Sequence, residues 1–189
     1  SYLMAAVTST MLSLGTVAPE FVLPDTLSGK EISLESIRSD LATVIMFICN
    51  HCPYVKHVNK EIVRLAKDYQ ARGVSFVAIS SNDIQAYPSD SPERMKEVAQ
   101  QNGYPFPYLY DEDQSVAKAY QAACTPDFYI FDEQMKLVYR GQLDGSRPRN
   151  DIPVTGEYMR KAHDAMIKGE QFSEEQNPSI GCNIKWKEA

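Results

Sequence analysis

Two cysteines three positions apart, Cys49 and Cys52, stand in the stretch Cys49-Asn-His-Cys-Pro53. That spacing has few uses, chiefly redox chemistry and metal binding. A thiolate does redox chemistry only if it forms near neutral pH and can be reached. The apolar run from Ala42 to Ile48 leads into the pair and reads as a central strand covered on both faces. Beyond it Val55, Val58, Ile62, Leu65, Ala66 and Tyr69 recur at threes and fours, the pattern of an amphipathic helix. Pro53 suits its first turn and Gly73 its stop. The pair therefore falls where a strand ends and a helix begins. Free N–H groups and the helix dipole there are expected to lower the pKa of Cys49. The spacing brings both sulfurs within bonding reach across the first turn. His51, protonated or donating a hydrogen bond, would favour the thiolate further.

The elements around the pair follow from the same patterns. Val17 to Pro24 and Glu31 to Leu34 flank a turn with Gly29 and read as an N-terminal β-hairpin. Val74 to Ser80 is a second buried strand, and Ser91-Pro92 caps a helix ending near Gly103. A short strand lies within Tyr104 to Tyr110, and a brief helix follows at Ser115 to Tyr120. Asp127 to Asp132 and Leu137 to Gly141 are strands, and a last helix covers about Thr155 to Lys168. The order predicts a single α/β domain: a mixed central sheet, helices on both faces, the hairpin extension and a helical insertion. Its core spans about 15–168. Residues 169–189 read as a polar tail whose Ile180, Ile184 and Trp186 should pack back on the domain.

Composition narrows the function classes. The 189 residues carry 19 Lys and Arg against 25 Asp and Glu, a formal charge of −6. That balance argues against broad nucleic-acid binding, and no apolar run is long enough to span a bilayer. Ser1 to Thr16 has neither a basic start nor a long apolar stretch, so a cytoplasmic location is expected. Four scattered cysteines do not make a disulfide-stapled secreted scaffold.

The chain resembles the thioredoxin-like superfamily, and within it the redoxin branch of peroxiredoxins and thioredoxin-like thiol–disulfide oxidoreductases. The resemblance rests on Gly15-Thr-Val-Ala-Pro-Glu-Phe21, Cys49-Asn-His-Cys-Pro53 and Cys124-Thr-Pro-Asp-Phe-Tyr-Ile-Phe-Asp132, in the family's order. It implies a thioredoxin-like fold, with Cys49 as attacking nucleophile and Cys52 as resolving thiol. Pro126 matches the family's cis-proline, which would turn the backbone of Thr125 toward the sulfurs and let it pair with an extended substrate. The buried Asp that thioredoxins carry six residues before the first cysteine is replaced by Thr43. Asp83, after the next strand, stands near the place of an alternative proton relay, with a plain loop carboxylate as the competing reading. The implied activity is thiol–disulfide exchange without a bound cofactor. Its partners would be a protein thiol or disulfide substrate and an electron-donating thiol system, and the chain would be a monomer or homodimer.

Three rivals remain at this level. Peroxiredoxins need Pro-x-x-x-Thr-x-x-Cys, and alignment on Cys52 puts Ile45 and Cys49 at the diagnostic places, which makes a peroxidase the runner-up. A Zn or Cu(I) site could draw on Cys49, His51 and Cys52 with Cys124 or Cys182, but adjacent His51 and Cys52 are poorly arranged around one tetrahedral ion. A non-enzymatic interaction module on the same fold is the third. Cys124 is expected as a buried neighbour of the pair. An auxiliary resolving role for Cys182 is one that disulfide mapping would decide.

Overall fold

The computed structural model describes residues 6–188. Residues 1–5, with which the leader reading begins, and Ala189, which ends the tail, lie outside the described residues. In chain order the elements are β1 (Ala6–Thr8), β2 (Val22–Pro24), β3 (Glu31–Ser33), α1 (Leu34–Ile37), β4 (Ala42–Phe47) and α2 (Pro53–Gln70). There follow β5 (Val74–Ser80), α3 (Pro92–Asn102), β6 (Tyr108–Tyr110), α4 (Ser115–Ala119), β7 (Cys124–Thr125) and β8 (Asp127–Phe131). β9 (Leu137–Gly141), α5 (Glu157–Ile167) and β10 (Ile180–Asn183) complete the chain.

β4 lies at the centre of a five-stranded sheet ordered β6-β5-β4-β8-β9. It runs parallel to β5 and antiparallel to β8, so the sheet is mixed. Every residue of β4 is buried, as its unbroken apolar run requires. Successive side chains of a strand point to opposite faces. Val44, Met46 and Ile48 accordingly pack with Val58, Ile62 and Leu65 of α2, Met95 of α3 and Met159 of α5. Ile45 and Phe47 pack on the other side with Leu34 of α1 and Val116 and Ala117 of α4. Helices cover both faces, and the fold is thioredoxin-like.

β2 and β3 form the expected antiparallel hairpin. Its turn is fastened to the sheet by buried Asp25, which accepts the backbone N–H groups of Leu27, Ser28 and Tyr108. Ser91 caps α3 through its side chain, and Gly103 ends that helix with φ of 63°. Among the described residues no helix is long and apolar enough to cross a membrane.

The tail departs from a plain polar extension. Ile184 is buried, and β10 is the middle strand of a small antiparallel sheet, β1-β10-β7. Neither β1 nor β10 has the alternating run that marks a strand, since Ile180-Gly-Cys-Asn183 is short and carries glycine. Pairing partners from both ends of the chain make these strands, and local sequence has no record of them.

Candidate active site

The central strand delivers Cys49 two residues after its last paired position, and Cys52 is the N-cap of α2, with Pro53 in the first turn. Both cysteines are buried, at 1% and 0% exposure, so an outside disulfide reaches them only when the cover of the site moves. Opposite them the Thr125–Pro126 peptide is cis, as the resemblance implied. Thr125 Oγ1 lies 3.4 Å from Cys49 Sγ, and the Thr125 carbonyl oxygen lies 3.4 Å from Cys52 Sγ. One residue thus touches both sulfurs.

A third sulfur completes the cluster. Cys182 Sγ is 2.7 Å from Cys52 Sγ and hydrogen-bonded to it. Cys182 pairs with Thr125 in the β10–β7 ladder, and Asn183 pairs with Cys124. The backbone edge that the resemblance assigned to an extended substrate is therefore taken by the chain's own C-terminal strand. Gly181 makes that approach feasible, because a Cβ at this position would overlap the Thr125 carbonyl. Cys124 is buried beside the pair, with its thiol 3.9 Å from the carbonyls of Pro126 and Ser179.

The charge distribution differs from the expectation of a lowered pKa at Cys49. Burial pushes the Cys49 thiol well up, and its hydrogen bond to Cys52 and the Asp90 charge add to that. Burial also opposes ionisation of Cys52, but hydrogen bonds with Cys182, Cys49 and Thr125 outweigh it and pull its pKa down. Cys182 is held up by its hydrogen bond to Cys52 and by burial, with Lys185 acting in the other direction. The thiolate belongs on Cys52. The reason is positional: Cys52 has hydrogen bonds with Cys182, Cys49 and Thr125, whereas Cys49 is fully buried and faces the Asp90 charge.

Asn50, the second residue of the motif, is buried and bonded on every side. Its backbone N–H donates to Asp90 at 2.8 Å, its Nδ2 to the Ser89 carbonyl, and its Oδ1 accepts from Tyr108. Asp90 also accepts from Asn82 Nδ2, and Asn82 Oδ1 accepts the backbone N–H of Lys185. A continuous hydrogen-bonded path thus joins the cysteine turn to the C-terminal segment. Sequence reading missed Asn50, Asn82, Asp90 and Tyr108. The only signal was polar residues in otherwise apolar surroundings, which does not single them out.

Asp83 is half-buried and its carboxylate accepts the Gln85 N–H in the loop. Asp90 is the carboxylate whose charge bears on Cys49. His51 Nδ1 is buried without a hydrogen-bond partner among the described residues, and thiolate support comes from Cys182 and Thr125 instead. Among the described residues no three or more His, Cys, Asp or Glu side chains are grouped so as to hold a metal ion.

The fold, the cysteine pair at the strand-to-helix junction and the cis-proline facing it define a thioredoxin-like protein of the redoxin branch. The AhpC/TSA family model matches residues 14–140, and the chain belongs to that family. A crystal structure of an uncharacterized conserved protein from Geobacillus kaustophilus is 64% identical, covers 100% of both chains and superimposes with a TM-score of 0.97. The thiol-disulfide oxidoreductase ResA of Geobacillus thermodenitrificans is 24% identical over 143 residues, or 76% of this chain and 76% of the relative. The thioredoxin domain of a thiol-disulfide oxidoreductase from Bacteroides vulgatus shares the fold at 17% identity, with a TM-score of 0.59 over 72% of this chain and 90% of that one. The family and the names of such relatives support an oxidoreductase role.

Proposed function

We propose that the chain exchanges dithiol and disulfide with a protein partner through Cys49 and Cys52. The observation that carries this reading is the contact of both sulfurs with Thr125 at 3.4 Å, beside the cis-proline. Cys49 passes its proton along the Cys49–Cys52 hydrogen bond and attacks the substrate disulfide. A mixed disulfide forms on Cys49, and one substrate sulfur leaves as a thiolate that takes up that proton. Cys52, whose thiolate is supported by Thr125 and Cys182, then attacks the Cys49 sulfur. The second substrate sulfur leaves as a thiolate, and Cys49–Cys52 is left oxidised. A second thiol system returns the two electrons, and no bound cofactor takes part.

The test is disulfide exchange with a fluorescent disulfide peptide, with reduced glutathione as electron source. Cys49→Ser is expected to lower turnover on the order of a thousandfold or more, as loss of a nucleophile does. Cys52→Ser should stall with the peptide attached to Cys49, detectable by mass. Absence of turnover in the wild type, together with no peptide trapped on Cys49, would overturn the reading.

A further inference from the structure

The third sulfur makes and breaks no bond in a two-cysteine cycle, yet it lies 2.7 Å from the Cys52 sulfur. Four features hold it there. The Cys182–Thr125 pairing fixes its register, and the Ile184 N–H donates to the Ala123 carbonyl at 3.0 Å. The Lys185 N–H donates to Asn82 at 2.8 Å, and Gly181 allows the strand to close on Thr125. Cys52 is hydrogen-bonded to both of the other sulfurs, Cys49 and Cys182.

We propose that Cys182 is a third redox thiol, which attacks the Cys52 sulfur of the oxidised Cys49–Cys52 pair and moves the disulfide inward to Cys52–Cys182. This rests on the oxidised pair formed in the exchange reaction above. The Cys52–Cys182 bond forms, the Cys49–Cys52 bond breaks, and the Cys182 proton passes to the departing Cys49 sulfur. No electrons are gained or lost overall, so no further oxidant is needed. Oxidation of the pair also removes the thiolate on Cys52 that holds the Cys182 proton in place, while the nearby Lys185 ammonium still favours a Cys182 thiolate. The outcome is an oxidising equivalent stored in the inner pair, a reduced Cys49 thiol, and a C-terminal strand tied covalently across Thr125.

The experiment uses the full chain, oxidised with glutathione disulfide, alkylated, digested and mapped by mass spectrometry. Wild type should yield both Cys49–Cys52 and Cys52–Cys182 peptides. Cys182→Ser should lose the second species and keep the first. Cys49→Ser, which forms no Cys49–Cys52 bond, should still form Cys52–Cys182. Wild type holding Cys49–Cys52 alone would overturn the proposal, as would a Cys49→Ser chain whose Cys52 and Cys182 both stay alkylatable. A wild type lacking Cys49–Cys52, beside a Cys49→Ser chain that links Cys52 to Cys182, would sink the two-cysteine exchange while leaving the inner bond standing.

Discussion

The carboxylate of Asp90, fully buried, accepts the backbone N–H of Asn50 at 2.8 Å and so holds the cysteine turn from the loop that follows β5. This single contact links geometry to reactivity. The same charge that fixes the turn raises the pKa of the neighbouring Cys49.

Asp90→Asn removes that charge, and the midpoint of the pH dependence of Cys49 alkylation is expected to fall. Asp83→Asn is the comparison: its carboxylate accepts the Gln85 N–H in the loop, and its pH–rate profile is expected to match wild type. An unchanged Asp90→Asn midpoint beside a shifted Asp83→Asn profile would favour Asp83 as the proton relay.

Tyr108→Phe deletes the hydroxyl that donates to Asn50 Oδ1 at 2.9 Å inside the core. A buried acceptor left without its donor costs about 1–3 kcal/mol. Urea unfolding should show a midpoint lowered to match. An unaltered midpoint would mean that the Asn50 amide finds another donor.

Gly181→Ala places a methyl group against the Thr125 carbonyl, which is backbone and cannot step aside. Overpacking of this kind costs about 1–3 kcal/mol. With β10 displaced, Cys182 should be alkylated faster than in wild type under native conditions. Equal alkylation rates in the two proteins would show that the strand absorbs the methyl group without leaving Cys52.

Stability should be flat across mildly acidic pH because two buried groups oppose each other. Burial raises Asp127 to about 7, so its contribution is complete below its unfolded pKa of about 3.9 and is lost as the pH rises through 7. Burial lowers His163 to about 4, so its contribution is present above about 6.5 and is lost as the pH falls through 4. Each alone gives a slope of up to about 1.4 kcal/mol per pH unit between the two limits. Asp127→Asn should therefore become more stable from pH 4.5 to 6.5 relative to wild type, and His163→Phe less stable over the same interval. Urea midpoints at several pH values within it decide the matter, and parallel curves for all three proteins would refute the assignment.

The sequence alone carried a great deal of this protein. Apolar runs mark β4 and β5 because a strand buried on both faces has no polar side to show. The spacing of Val55, Val58, Ile62 and Leu65 marks α2 because a helix buries one stripe. With the cysteine spacing and the Thr-Pro pair, those patterns were enough to mark the thioredoxin-like fold and the redoxin family. Three matters were decided by tertiary structure. Strands β1 and β10 exist through partners distant in the chain, Ala6 opposite Cys182 and Cys182 opposite Thr125, for which local pattern has no counterpart. The low-pKa sulfur depends on which thiols and hydroxyls converge on it, and that convergence puts the charge on Cys52. The acid near Cys49 is Asp90, brought in by a loop closing over the turn, because distance through space and not along the chain sets an electrostatic interaction.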